Sequence, residues 1–286
     1  MVGRPRGGQC VLPPRHTRLH EIVITVPRIK GALDEGFPMS GRLHRSAAIF
    51  LIAGIISVGP TLSRNARAAG AAYQVDTSEV SEAGNCKVES WASWASNRDF
   101  FGAVAPSCAF DIGRPLELST QFSRFRSDEE WGTAAIPKAK LNLSPSSIGT
   151  FGVAISATAA YDLLTRENTA LAVTIPATMR LSENTRINLN AGWLLDRTDD
   201  KHYLTYGVGF DTRTSDNVWT LTTEVFGQMG SAEFERLVQP RFQTGLRYRP
   251  VDRFNIDLIY GRNITGEMAN WITLATIIRF SPEGKK

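Results

Sequence analysis

The feature that most constrains the fold is an alternation of apolar and polar residues, which recurs almost without interruption from Cys86 to Phe280. In residues 148–161, Phe151, Val153 and Ile155 share one face, and small or hydroxyl-bearing residues occupy the other. A period of two places alternate side chains on opposite faces of a β-strand. Turn residues separate about twelve such segments of about ten residues each, an even number as single-chain barrels require. The pattern therefore predicts an all-β fold.

The length of the segments favours a membrane barrel over a soluble β-sandwich, which would also alternate. Strands in globular sheets average about five or six residues. Aromatic residues also crowd the ends of the apolar faces, as in the interfacial girdles of outer-membrane barrels. They are Trp131, Tyr161, Trp193, Trp219, Tyr248, Phe254, Tyr260 and Phe280. We expect a closed antiparallel up-and-down transmembrane β-barrel of about 12 strands over residues 86–280, followed by a C-terminal tail at 281–286.

Composition excludes two other classes of protein. Hydrophobic residues make up 42% of the chain, and no stretch approaches the roughly 20 uninterrupted apolar residues of a spanning helix. The net charge is +4, and the basic residues do not gather into a stripe. A nucleic-acid partner is therefore not expected.

A targeting signal is predicted at residues 39–68. Two arginines, Arg42 and Arg45, precede a mostly apolar run at 47–58, and small residues at Ala66 and Ala68 suit cleavage near Ala68. An uncleaved anchor is the alternative. Cleavage predicts export to the outer membrane of a Gram-negative bacterium.

The position of this signal defines the boundaries of the two regions that flank it. Residues 1–38 are either an over-extended start or a disordered leader, so translation could begin at Met1 or Met39. Residues 69–85 are expected to form a periplasmic N-terminal segment.

Connection lengths predict the orientation of the barrel. Short turns are expected at 144–147, 182–184, 214–217 and 250–252, and longer links at 196–201, 227–237 and 262–269. Outer-membrane barrels have short periplasmic turns and longer extracellular loops. The short turns are therefore assigned to the periplasm.

Two cysteines remain after the leader and signal are removed, Cys86 and Cys108. They become cross-strand partners if the first hairpin turns at Asn97, which predicts a disulfide in an oxidising compartment. Two unpaired thiols are the alternative. His202 is the only histidine left, so neither a multi-histidine metal site nor a cofactor is expected.

Charged residues recur on the polar face of the strands, which would line the lumen. The basic ones are Lys138, Lys140, Arg180, Arg186, Arg213, Arg247, Arg249 and Arg279, and the acidic ones are Glu117, Asp211, Glu224 and Asp257. One interpretation is a basic constriction that favours anionic solutes. The other is a closed structural barrel, in which arginine–carboxylate pairs fill the lumen and select nothing.

An outer-membrane hydrolase is a weaker hypothesis. His202 is the only candidate base, and Asp200 precedes it on an outward loop. Its same-face neighbour, Leu204, stands where a barrel phospholipase carries its nucleophile. We expect no catalytic residues and no enzymatic activity.

The mature chain resembles the outer-membrane barrels grouped as the meta-pathway phenol-degradation family. The resemblance rests on residues 181–193 and 245–250 and on the final strand at 271–280. It implies a transport role without catalytic residues.

The expected function is a passive channel or uptake barrel for small solutes, with aromatic and anionic molecules as candidates. The expected partners are outer-membrane lipid, the barrel-assembly machinery and a small-molecule solute. The oligomeric state is left open.

Overall fold

Twelve strands make up most of residues 72–127, 129–230, 238–265 and 268–281, the parts of the chain that the computed structural model describes. They are β1 (Cys86–Ala95), β2 (Phe100–Asp111), β3 (Pro115–Ser127), β4 (Glu130–Ser144), β5 (Phe151–Asp162), β6 (Glu167–Arg180), β7 (Thr185–Asp196), β8 (Lys201–Arg213), β9 (Trp219–Gly230), β10 (Val238–Val251), β11 (Phe254–Asn263) and β12 (Asn270–Phe280). Within these described ranges, no helix is long and apolar enough to cross a membrane.

The strands form one closed barrel in which each strand is antiparallel to its neighbours in sequence. Pairing of β1 with β12 closes the sheet, with Cys86 opposite Phe280 and Ala95 opposite Trp271. The predicted up-and-down barrel is confirmed. Closure matters physically because a bilayer offers no hydrogen-bond partners to an open sheet edge.

We call the end where β1 begins and β12 finishes the terminal end, and the other the far end. Connections have two to six residues at the terminal end and two to seven at the far end. The predicted alternation of short and long connections is therefore weak in the structure. Strand pairing extends further into several of the expected loops than the sequence pattern indicates, as in the link between Asp196 and Lys201.

The outward face of the barrel is apolar along its whole height. Val208 and Leu258 lie near the middle of their strands with 52% and 54% of their surface exposed. Aromatic side chains flank this band at both ends: Trp219 contacts Tyr248 at the terminal end, and Trp94, Phe100 and Trp131 contact one another at the far end. So much exposed apolar surface is stable only against lipid.

The predicted disulfide is present on the wall. Cys86 lies opposite Cys108 in the β1–β2 register, with their Cα atoms 4.0 Å apart and their sulfurs bonded. Alternation along β1 and β2 places both side chains on the outward face, at the terminal end. The bond links the first two strands where the chain enters the barrel.

The inward face changes character along the barrel. Near the far end, apolar side chains pack together across the interior in what we call the apolar cluster: Phe125, Ala134, Ile136, Ala160, Ala170, Leu194 and Tyr203. Nearer the terminal end, the inward side chains are mostly charged or amide-bearing. The sequence analysis predicted a polar face throughout, because it assigned no inward role to these apolar residues.

Residues 72–79, which precede the first strand, lie inside the barrel, and we call them the inserted segment. Tyr73, Val75, Thr77, Ser78 and Glu79 are all buried. The sequence predicts a periplasmic segment over residues 69–85, where no period of two indicates a strand. In the structure, side chains of the barrel wall hold residues 72–79 inside the lumen without a strand ladder.

Several predictions fall outside the described residues. They are the leader at 1–38, the signal peptide at 39–68 with its cleavage near Ala68, and the tail at 281–286 apart from Ser281. They stay predictions.

Candidate functional site

The candidate site is the terminal half of the lumen, where the inserted segment meets the charged wall. The segment runs from Glu79, beside the terminal ends of β6 and β7, to Tyr73, beside the middle of β10. Its hydrogen bonds, ion pairs and closest approaches come from β4 and from β6 to β10. Alternation places the inward side chains of all these strands in one space, so residues far apart in sequence converge on it.

Asp76 binds two lysines that lie two residues apart on β4. Lys138 Nζ is 2.6 Å from Oδ2 of Asp76, and Lys140 Nζ is 2.8 Å from Oδ1. The side-chain amide of Asn190, in the orientation that satisfies both its polar atoms, accepts from the Asp76 N–H at 2.7 Å and donates to its carbonyl at 2.8 Å. The wall therefore binds both the carboxylate and the backbone of this residue.

Asp76 precedes the first membrane-spanning strand, and its charge depends on these lysines. Burial alone would raise the pKa of its carboxyl, but the two ammonium groups outweigh burial and hold that pKa well below its usual range. The carboxylate is therefore ionised at neutral pH.

Glu79 binds two arginines that flank the β6–β7 turn. Arg180 Nε donates to Oε1 of Glu79 at 3.0 Å, and Arg186 Nη1 donates to Oε2 at 2.7 Å. Arg186 also donates through Nε to Asp211 at 2.6 Å. Glu79 thus completes a buried network of two cations and two anions.

The backbone of the inserted segment is also bound by the wall. Glu224 accepts from the N–H groups of Gln74 and Val75, and Thr178 accepts from the N–H of Ser78 at 2.8 Å. Asn142 donates to the Ser78 carbonyl at 2.6 Å. Because a buried peptide group without a partner is costly, these bonds allow an irregular segment to lie inside the lumen.

Two glycines on β8 make room for Val75. A Cβ added to Gly207 would lie 2.8 Å from Val75 Cγ2, and one added to Gly209 would lie 3.3 Å from Val75 Cβ. Glycine in a strand commonly marks such a close approach. A larger residue at either position would therefore crowd Val75.

The remaining predicted lumen residues divide into ion pairs and arginines near the terminal opening. Glu117 and Glu89 both bind Lys87, with oxygens 3.3 and 3.0 Å from its Nζ, and Asp257 binds Arg247 at 2.6 Å. Three other arginines donate to oxygens near the terminal opening: Arg213 to the carbonyl of Glu183, Arg249 to the carbonyl of Asn217, and Arg279 to the side chain of Asn255. The predicted basic residues thus do not form one continuous constriction.

Sequence reasoning missed the residues that complete the site, above all Asp76 and Glu79. One signal could have found them, since the predicted lumen set holds twice as many basic as acidic residues. Burying that excess charge requires further anions. Asp76, Glu79 and Glu82 lie just before β1.

Two cavities lie on either side of the inserted segment. One of about 250 Å³ lies between the segment and the apolar cluster, and its walls include Trp91, Phe101 and Trp271 together with Lys138. The other, of about 720 Å³, lies at the terminal end, and six basic and three acidic residues line it. We call the second cavity the vestibule. The segment separates the two.

His202 lies on the outward face of β8, where its ring stacks on that of Trp193 with centroids 5.6 Å apart. It therefore belongs to the aromatic band at the far end and points away from the lumen. Among the residues that the structure describes, no group of three or more His, Cys, Asp or Glu side chains could hold a metal ion.

Solved structures with a similar fold include porins. A KdgM porin in complex with disordered oligogalacturonate matches with a TM-score of 0.53 and 11% identity, over 68% of this chain and 99% of that chain. The NanC porin matches with a TM-score of 0.53 and 6% identity, over 67% of this chain and 98% of that chain. The closed barrel, its apolar outer band and these likenesses define the class: a transmembrane barrel with the fold of the porins.

The family is defined by sequence. Residues 58–280 match the model described as uncharacterised conserved protein UCP029691, and the chain belongs to that family. No curated protein matches the sequence.

Proposed function

We propose that this protein is an outer-membrane channel of the porin class for small solutes, and that its inserted segment closes the lumen in the conformation described here. The observation that supports this most directly is the position of the segment between the two cavities, each of which it helps to line. A segment held by side-chain bonds can leave a lumen without breaking the strand ladder. The proposal places the mature barrel in the outer membrane of a Gram-negative bacterium, after cleavage near Ala68 and folding by the barrel-assembly machinery.

The charge of the vestibule supports anionic solutes. Its basic residues outnumber its acidic ones by six to three, and the arginines among them lie at the mouth of the lumen. Fixed positive charge at a narrow opening raises the local concentration of anions.

The inner cavity supports aromatic solutes as a second property of the same channel. Rings of Trp91, Phe101 and Trp271 line it beside a lysine. Aromatic rings pack well against one another in such a space. The resemblance to the meta-pathway phenol-degradation family adds weight to this part of the proposal.

Conductance across a planar lipid bilayer tests the proposal. Deletion of residues 72–79 from the mature protein should raise conductance by roughly tenfold or more over the unmodified protein, because the deletion joins the two cavities. The reversal potential in a salt gradient should show selectivity for anions. Val208→Ala, a change on the outward face, serves as the control for reconstitution and should conduct as the unmodified protein does.

A closed structural barrel is the second candidate, and the apolar cluster favours it. Leu194 and Ala134 in this cluster have 0% and 1% of their surface exposed, so these inward side chains are tightly packed. This candidate predicts that the deletion variant stays silent, and that it stays silent when Leu194→Ala is added. Silence in both variants would overturn the channel proposal.

A further inference from the structure

The carboxylates of Asp76 and Glu79 occupy the lumen in the way that a bound ligand would. They belong to a segment with no strand pairing, and each is held by two cations of the wall. The four cations come from β4, β6 and β7, all of which belong to the rigid barrel. The wall therefore presents two preformed anion sites, one made by Lys138 and Lys140 and the other by Arg180 and Arg186.

These sites need an anion whenever the segment is absent. The side chain of Lys140 is 4% exposed and that of Arg186 is 10% exposed. Without Asp76, the buried Lys140 loses the carboxylate that it binds. Without Glu79, Arg180 loses its carboxylate, while Arg186 keeps Asp211. Buried cations in excess of their anions are strongly unfavourable. Withdrawal of the inserted segment is thus easiest when another anion replaces each carboxylate at the same time.

The inserted segment competes effectively with a free solute for the two cation pairs, because only the few residues between Glu79 and Cys86 attach it to the barrel. A short link of this kind gives a local concentration on the order of millimolar. A free molecule with one carboxylate could replace Asp76 or Glu79 but not both. A molecule with two carboxylates could replace both from a single binding event.

On this basis, and resting on the proposed channel function, we propose that the two cation pairs bind a small molecule that carries two carboxylates, and that this molecule displaces the inserted segment. The class of solute is then the dicarboxylates. The inserted segment acts as an internal competitor that keeps the lumen closed until such a solute arrives.

Hydrogen exchange at the backbone of the segment tests the displacement. In the detergent-solubilised mature protein, the N–H groups of Val75 and Ser78 should be protected, because Glu224 and Thr178 accept from them. Adding succinate, adipate or sebacate should increase their exchange roughly tenfold or more at saturation with at least one of the three. Adipamide, which has no charge, and acetate at equal ionic strength should leave their exchange unchanged.

Calorimetric titration with the same dicarboxylates distinguishes direct binding of the solute from a nonspecific increase in the mobility of the inserted segment. Asp76→Asn with Glu79→Gln should lower the apparent Kd roughly tenfold, because the competitor is weakened. In that Asp76→Asn/Glu79→Gln background, adding Lys138→Gln with Arg180→Gln should raise the Kd roughly tenfold, because the competitor is already weakened and only the solute sites change. Arg197→Gln is the matched control, since this exposed arginine lies at the far end, where it donates to the side chain of Asn168, and it should change Kd less than threefold.

Opposite signs for the two pairs of substitutions are the decisive result. Absence of saturable binding to the Asp76→Asn/Glu79→Gln protein would overturn the inference, as would acetate or sulfate binding as tightly as the best dicarboxylate. Lys138→Gln alone, at a side chain that is 34% exposed, provides a milder change if the combined variant fails to fold.

The outcomes for this inference and for the channel are separable. Dicarboxylate binding with no conductance in the deletion variant would leave a binding barrel that is not a channel. Conductance in the deletion variant without dicarboxylate binding would leave the channel and overturn the dicarboxylate site.

Discussion

The two halves of the barrel interior share one wall but are packed in different ways. In the far half, inward side chains of β3 to β8 pack into the apolar cluster, with Leu194 and Ala170 almost completely buried. In the terminal half, charged side chains and the inserted segment fill the space, with Asp76 and Glu79 bound between cations. The outward face changes little between the two halves, because lipid contacts both.

The difference determines how much free energy each half needs to rearrange. Apolar packing has no substitute in water, so opening the far half exposes surface and costs free energy in proportion to its area. Ion pairs can be exchanged for other ions, so opening the terminal half needs only a suitable anion. We infer that the terminal half responds to solutes, and that the far half mainly determines stability.

The largest effect is expected at the packed far half. Leu194→Ala should lower the free energy of unfolding by about 2–5 kcal/mol, because it leaves a cavity in the apolar cluster. Leu258→Ala is the matched control on the outward face, where lipid fills the space, and its effect should be well below that of Leu194→Ala. Urea unfolding in lipid vesicles, followed by tryptophan fluorescence, measures both. Equal losses would mean that the two halves do not differ in packing.

A smaller effect is expected at the contact between β8 and the inserted segment. Gly207→Val should oppose insertion of the segment by about 1–3 kcal/mol, because even its Cβ would lie 2.8 Å from Val75 Cγ2. Hydrogen exchange at the Val75 and Ser78 amides should therefore accelerate, while the strand amides stay protected. Val208→Ala, the neighbouring outward change, should leave the segment protected. If hydrogen exchange at the Val75 and Ser78 amides is unchanged in Gly207→Val, the inserted segment is held as stably as the apolar cluster of the far half.

The smallest effect is expected on the outer wall, where His202 contacts Trp193. His202→Ala should cost about 0.5–1.5 kcal/mol of stability, which a double-mutant cycle with Trp193→Leu assigns to the ring contact. This outward position gives His202 no catalytic role. If a purified preparation shows esterase or protease activity, that activity should therefore be the same in His202→Ala. Loss of such an activity in His202→Ala would instead support the hydrolase hypothesis.

The fold was largely predictable because its information is local. Alternation such as that of Phe151, Val153 and Ile155 places side chains on two faces whatever the rest of the chain does. The disulfide was predictable for the same reason, since one hairpin turn brings Cys86 opposite Cys108. The two ends were harder to tell apart, because strand pairing shortens loops that the sequence leaves unpaired.

The site was only partly predictable. The alternation along each strand predicted that four basic residues point inward: Lys138, Lys140, Arg180 and Arg186. Alternation does not show what each side chain faces across the lumen. Their partners Asp76 and Glu79 lie in a segment without a period of two, some 60 to 110 residues away in sequence. No local pattern connects residues at that separation.

By itself, the sequence determined the wall of this protein: twelve strands, an apolar outside and a disulfide where the barrel begins. These follow from rules that act over a few residues, namely the pleat of a strand and the reach of a turn. Only the tertiary structure decided how the interior is filled, with an apolar cluster at one end and an inserted segment at the other. Closing the sheet brings side chains from many strands into one space, and the choice of partners there depends on charge and shape across the barrel.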